Sequence, residues 1–241
     1  MALKFELVRR FPLLIDLHAL WQSLTRLKPV EAECPSCGQT GRFRLSGVPP
    51  RVGARCPNCF SLERHRLLRL YLNTHPELAD GKRILHFAPE KSLRAYLQPR
   101  AAEYIPCDIS PRPGDRRINI EAIDLPDASI DLVVCSHVLE HVDDHKALRE
   151  LRRIVSPAGT VLLMFPIIEG WEHTYENPAV TTPAERLKHF GQEDHVRYFG
   201  ADARDRIRAA GFTVEDFTAV EPLVMRYGLS RGGKIFVCRP V

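Results

Sequence analysis

Four cysteines in two identically spaced pairs, Cys34-x2-Cys37 and Cys56-x2-Cys59, constrain the first third of this 241-residue chain more than any other feature. The stretch that holds them, residues 31–60, has Pro and Gly scattered between short polar runs. It is too small to enclose an apolar core and needs a staple. A Cys-x2-Cys turn lets two thiolates converge on one ion, and two such turns complete the tetrahedral set that zinc prefers. The pattern predicts a small zinc ribbon ligated by Cys34, Cys37, Cys56 and Cys59. Gly38 would supply the positive φ of a knuckle folding back on its sulfur. The total of seven cysteines is odd and argues against a disulfide framework. Cys107, Cys135 and Cys238 lie in apolar, strand-like runs and read as small buried hydrophobes.

Before the ribbon, residues 11–28 read as an amphipathic helix with Pro12 near its start and leucines at three- and four-residue spacing. Asp16, His18 and Arg26 make this run too polar to cross a bilayer, and no small-residue cleavage site follows it. The expectation is a cytoplasmic protein with no membrane span. After the ribbon, residues 61–72 read as a second helix, apolar along Leu68, Tyr71 and Leu72 and basic along Arg66 and Arg69. Residues 1–75 hold twelve Lys/Arg against five Asp/Glu, whereas residues 76–241 are slightly acidic. The basic front suits either a polyanionic partner or a solvated surface.

From residue 82 onward, strand-like runs alternate with helices. Strands are expected at 83–88, 104–109, 117–120, 130–136, 160–166, 213–219 and 234–239, with helices near 90–98, 143–155 and 201–210. That alternation is the signature of an open, mostly parallel α/β sheet, and the last two strands lack an obvious helical pattern between them, so an antiparallel end is expected. Three units follow: a helix over 1–30, the ribbon and its helix over 31–75, and an α/β domain over 76–241. Ligands of such a sheet sit beyond the carboxyl ends of its strands. The turn His86–Leu93, the strand end at Asp108 and the strand end at Ser136-His137 would meet there. Asp108 follows His86 by 22 residues, a separation at which an acid can hold a ribose diol. The first turn has no G-x-G-x-x-G, which disfavours a pyrophosphate cofactor such as NAD or FAD.

Together these sites resemble the class I S-adenosylmethionine-dependent methyltransferases, in the branch called type 11. The resemblance is carried by ASIDLVVCSHVLEHVDDHKALRELRRIVSPAGTVLLMFP (128–166), by LHFAPE (85–90) in place of a glycine-rich first motif, and by ERLKHFGQEDHVRYFG (185–200) with Gly211-Phe212 beyond it. The zinc ribbon running into SLERHRLL is similar to a subset of that branch. The resemblance implies a Rossmann-like seven-stranded sheet with its last strand antiparallel. It also implies a cofactor site at Phe87, Ala88, Pro89, Glu90, Asp108, Ile109, Asn119, Ile120, Ser136 and His137, with Asp108 on the ribose. Asn119 stands where the family usually places an acid for adenine, and Glu121 follows two residues later.

Two further motifs need weighing. His137-Val-Leu-Glu140-His141 fits H-x-x-E-H, an inverted zinc-protease pattern, but it follows directly on a buried strand rather than opening an isolated helix. Residues 167–200 are too long for a plain connector and hold Trp171, His173, Tyr175, His189, Asp194, His195, Arg197 and Tyr198. They read as a substrate lid, or alternatively as an insertion tied down by Asp194 and Arg197. His137 and His195 are the candidate catalytic bases, since imidazole titrates in the useful range.

The leading functional reading is methyl transfer from S-adenosylmethionine to a small-molecule, sugar or peptide acceptor at oxygen or nitrogen, the ribbon being structural or a docking module. A second reading is an RNA methyltransferase whose ribbon binds phosphates. It is disfavoured because only Phe43 and Phe60 interleave with the ribbon's basic residues. The third is a non-catalytic adaptor on a methyltransferase fold. Oligomeric state is not legible in the sequence.

Overall fold

The computed structural model describes residue 21, residues 31–47 and residues 50–241. The helix expected over 11–28 therefore lies outside the described residues, Trp21 excepted. The cysteine segment forms two antiparallel hairpins, β1 (Glu31–Glu33) with β2 (Thr40–Arg42) and β3 (Arg44–Ser46) with β4 (Arg51–Arg55). It leads into helix α1 (Glu63–Thr74).

The remaining chain builds one seven-stranded sheet. Its strands are β5 (Arg83–Phe87), β6 (Glu103–Asp108), β7 (Arg116–Arg117), β8 (Ile130–Ser136), β9 (Val155–Met164), β12 (Phe212–Thr218) and β13 (Lys234–Pro240). In space they run β12-β13-β9-β8-β5-β6-β7, and only β13 is antiparallel to its neighbours. The order reverses between β5 and β8, which opens the crevice expected of a doubly wound sheet. Helices α2 (Lys91–Leu97), α3 (Asp144–Ile154), α5 (Ala203–Ala209) and α6 (Leu223–Tyr227) cover its faces. Asp143 caps α3 by accepting from the Lys146 amide at 3.1 Å.

Alternation along the central strands separates two cores. Leu85, Phe87, Val133, Cys135, Leu163 and Phe236 face the layer of α3 and α5. Ile84, Leu132, Val134, Leu162 and Ile235 face the other layer, where Leu67, Leu68, Tyr71 and Leu72 of α1 are buried among them. Helix α1 is thus a structural layer of the sheet. Cys107, Cys135 and Cys238 are fully buried, as their apolar surroundings predict.

Two strands depart from expectation by three residues or more at one end. Strand β9 begins at Val155, because Val155 already pairs with Ile130 before Pro157-Ala-Gly159 bulges out and pairing resumes at Leu132 with Thr160. Strand β7 stops at Arg117, because the Asn119 side chain accepts from the Glu121 amide at 3.0 Å and turns the chain inward. Residues 167–200 are also structured. Strand β10 (Tyr175–Glu176) pairs with β11 (Arg197–Tyr198), and α4 (Pro183–Phe190) lies between them, started by a Thr182/Glu185 capping box. Among the described residues, no helix is long and apolar enough to cross a membrane.

Candidate functional site

The cysteine cluster assembles as its spacing predicts. The sulfurs of Cys34 and Cys59 lie 3.5 Å apart and those of Cys37 and Cys56 3.7 Å apart, and all four come within 4.8 Å of one another. Thiolates about 2.3 Å from one zinc ion stand roughly 3.8 Å apart on a tetrahedron, so the donor set fits that metal. All seven cysteines are free thiols. Gly38 has φ 74°, and the Gly38 amide donates to Cys34 O at 2.8 Å, closing the first knuckle.

Arg66 fastens this segment to the sheet. Its side chain is fully buried and donates to the carbonyls of Ala54 (2.9 Å), Ser61 (2.8 Å), Gly53 (3.3 Å), Tyr227 (2.8 Å) and Gly228. Its guanidinium also lies over the buried ring of Phe43. This corrects the expected basic face of the helix. Arg66 is an internal connector, and Arg69 lies over the Tyr96 ring, 3.8 Å from its centroid.

At the carboxyl ends of β5, β6 and β8 lies a cavity of about 510 Å³. Seven of the residues expected at a cofactor site line it: Phe87, Ala88, Asp108, Ile109, Asn119, Ile120 and His137. Pro89, Glu90 and Ser136 lie outside its lining. Glu90 is bracketed by two histidines, with His86 Nε2 at 3.0 Å and His65 Nε2 at 3.4 Å. Burial would raise its pKa, but the His86 hydrogen bond and the neighbouring imidazoles outweigh it and hold the carboxyl down to about 2. His65, on α1, is pushed down to about 4 by burial. Glu121 is committed elsewhere, accepting from the Asp143 amide at 2.8 Å, which leaves Asn119 as the polar group of that wall. The chemistry of the lining suits a nucleoside, with an acid at one end and Ile109, Ile118 and Ile120 as an apolar slot.

His137 sits where β8 ends, at φ 57°, a conformation rarely taken by a β-substituted residue. Its Nδ1 lies 2.9 Å from Oε1 of Glu140, whose side chain is buried. The Leu139–His141 stretch is a single 3-10 turn, so the H-x-x-E-H residues do not share the helical face that a protease motif requires. Two further cavities, of about 270 and about 500 Å³, adjoin on the far side of His137. Both are lined by Glu63 and Arg64 from the start of α1, and the larger also by Arg51, His141 and His195. Arg51 forms a two-pronged ion pair with Glu63 at 2.9 and 3.2 Å. Arg64 carries a buried Nε with no hydrogen-bond partner, and burial pulls its pKa down.

His195 is buried beside these groups, its ring edge-on to His141 with centroids 4.8 Å apart. Burial lowers its pKa and Glu140 partly opposes the shift. Arg197 is structural: it reaches Asp144 at 3.3 Å and Glu176 at 3.0 Å and donates to Leu139 O, tying 167–200 to the sheet edge. Asp194 pairs with His141 Nδ1 at 3.3 Å. Sequence reasoning missed Arg51, Glu63, Arg64 and Glu140 as cavity residues. The first three lie on α1 or on the hairpin before it, far in sequence from the strand ends, so only the docking of α1 on the sheet reveals them.

The strand order and the crevice define the class: an α/β protein with the architecture of S-adenosylmethionine-dependent methyltransferases. Residues 90–163 match the family Methyltransf_11, described as a methyltransferase domain. A Mycolicibacterium smegmatis protein named "Probable S-adenosylmethionine-dependent methyltransferase" is 33% identical over 112 residues, which cover 46% of this chain and 39% of that protein. The chain thus spans about two fifths of the length of that relative. An S-adenosylmethionine-dependent methyltransferase from Mesorhizobium loti shares the fold with a TM-score of 0.52 at 16% identity, covering 71% of this chain and 96% of its own. So does a chain of the Haloferax volcanii complex containing the Trm112 methyltransferase activator, with a TM-score of 0.50 at 16% identity, covering 73% of this chain and 93% of its own.

Proposed function

We propose that this protein transfers a methyl group from S-adenosylmethionine to an oxygen or nitrogen of a small-molecule, sugar or peptide acceptor that carries an acidic group. The observation that carries this reading is the position of His137, which lines the cavity at the strand ends and both cavities beyond it. The donor and acceptor compartments meet at that side chain. Asp108 would hold the ribose hydroxyls, and Phe87, Ala88, Ile109, Asn119 and Ile120 the rest of the nucleoside. When bound, S-adenosylmethionine supplies a methyl on a sulfonium, ready for in-line displacement. Pro89, Glu90 and Ser136 would act from behind this wall, shaping the turn and strand end that carry it.

With Nδ1 engaged by Glu140, Nε2 of His137 is the nitrogen left to take the acceptor's proton. The buried carboxylate orients the ring and stabilises the imidazolium as it forms. His195 is the less favoured base, since it lines only the larger acceptor-side cavity. Residues 167–200 would act as the lid that excludes water. The unpaired Nε of Arg64 favours an acidic group on the acceptor. One zinc ion held by Cys34, Cys37, Cys56 and Cys59 would keep the segment that presents Arg51, Glu63 and Arg64 in register. Seven free thiols suit a reducing compartment, the cytoplasm.

RNA is a weaker candidate, because Phe43 is buried and Arg66 is spent on carbonyls, which leaves Phe60 as the exposed ring of the cysteine segment. A submicromolar RNA affinity that falls steeply with salt would reverse this preference.

The test pairs Asp108→Ala with His137→Asn, the second chosen because Asn tolerates positive φ. Calorimetry should show S-adenosylmethionine binding weakened about 10- to 150-fold by Asp108→Ala, the loss of one charge-assisted hydrogen bond. His137→Asn should bind it as the parent does, yet transfer label to acceptors in cell extract about 100- to 10,000-fold more slowly. A parent that binds no S-adenosylmethionine would make this chain the non-catalytic adaptor.

A further inference from the structure

Glu140, His141 and His195 form a second cluster of metal-ligating groups, separate from the four cysteines. Each offers a ligand atom within 4.8 Å of the other two. Two of these side chains are almost wholly buried, Glu140 at 1% exposure and His195 at 3%. Both keep a buried polar atom without any hydrogen-bond partner, Oε2 of Glu140 and Nδ1 of His195. Leaving a carboxylate oxygen and an imidazole nitrogen buried and unpaired is costly, and a cation between them removes both penalties.

The surroundings have the form of a metal site's outer shell. Oε1 of Glu140 is turned by Nδ1 of His137 at 2.9 Å, which leaves the orphaned Oε2 as the ligand oxygen. Nδ1 of His141 faces the Asp194 carboxylate at 3.3 Å, the carboxylate–histidine pairing that orients ligating imidazoles. His141 and His195 pack edge to face at 84°, so the two rings are held rather than free to turn.

We propose that Glu140, His141 and His195 bind a divalent transition-metal ion at the edge of the acceptor cavity, with coordination positions left open toward that cavity. Two imidazoles and one carboxylate suit zinc, iron or manganese, and three protein ligands leave room for water or a substrate oxygen. All three residues line the cavity of about 500 Å³, together with Arg64 and His137. An acceptor hydroxyl bound to the ion would have its pKa lowered there, and its proton would pass to solvent or to His137. The site is defined by its ligands and does not depend on the methyl-transfer reading.

The experiment counts metal in the full chain. Protein loaded with zinc at the cysteine cluster is titrated with Co2+, and bound metal is measured by mass spectrometry and by visible absorption. The parent should take up a second equivalent, with d–d bands that lack the thiolate charge-transfer band of a cysteine site. His195→Ala should lose that equivalent. His141→Ala, at a partly exposed position, should lose it too while circular dichroism and the cysteine-bound zinc stay as in the parent, so the result does not hang on whether the buried variant folds. A parent saturating at one metal per chain overturns the proposal, as does a second metal that survives both substitutions. S-adenosylmethionine binding is measured on the same samples. Two metals with no cofactor binding would uphold this site and sink the methyl-transfer reading.

Discussion

Replacing Arg66 with Met keeps most of the side-chain volume and removes the guanidinium that joins the cysteine hairpins, α1 and the turn at residues 227–228. Five carbonyls lose a donor. They do not all suffer equally. Ser61 O also accepts from the Cys56 amide at 3.0 Å, and the bonds to Tyr227 and Gly228 are only partly buried, so water can replace them. Gly53 O and Ala54 O are left buried, and each unsatisfied acceptor costs about 1–3 kcal/mol. Taking a buried cation out of the fold offsets part of this, which leaves a net destabilisation of about 2–4 kcal/mol. Urea unfolding followed by tryptophan fluorescence reads that change, and a chelator assay in parallel reads the rate of zinc release, which should rise. If Arg66→Met matches the parent within about 0.5 kcal/mol and holds zinc as long, the argument that buried carbonyls depend on this one donor is refuted.

Cys56→Ser should abolish stoichiometric zinc, because a structural site contributes about 10–16 kcal/mol of apparent binding energy and one missing thiolate breaks the tetrahedron. S-adenosylmethionine affinity should survive, since among the described residues none before Phe87 lines the cavity proposed for the cofactor, and a parallel loss of cofactor binding in calorimetry would contradict that separation. Acid should destabilise the protein in two overlapping steps. His65 is held to about 4 by burial, so the unfolded chain takes its proton first and stability drains as pH falls from about 6.5 toward 4. Glu90, held near 2, adds a loss as pH falls from about 4.5 toward 2. Thermal melts at pH 7, 5.5 and 4 should show His65→Gln with a flatter profile than the parent, and identical profiles would remove His65 as the source.

The central strands were legible because a run such as Ile130–Ser136 is buried on both faces, and its apolar length alone fixes its ends. The ends of β7 and β9 were not, since a side-chain-capped turn at Asn119 and a bulge at Pro157 decide them. Asp108 and His137 could be placed in the crevice because strand ends of a doubly wound sheet converge there. Glu140 was harder. Glu140 sits inside a motif that promises a helix, and a 3-10 turn with His137 at positive φ aims it elsewhere. Arg66 reads as surface charge by composition, and only tertiary packing supplies five carbonyls for it.

The two sides of His137 draw on different stretches of chain. The cofactor wall comes from the strand ends, the turns after them and two side chains of residues 167–200, whereas the acceptor wall borrows Arg51, Glu63 and Arg64 from the cysteine segment and the start of α1. On the proposed methyl-transfer reading, mutations in the borrowed wall would accumulate without touching the residues assigned to the methyl donor. Acceptor preference would then drift by exchange of one short cysteine-bearing cassette, and a chimera joined within α1 would carry a new acceptor preference onto an unchanged cofactor site.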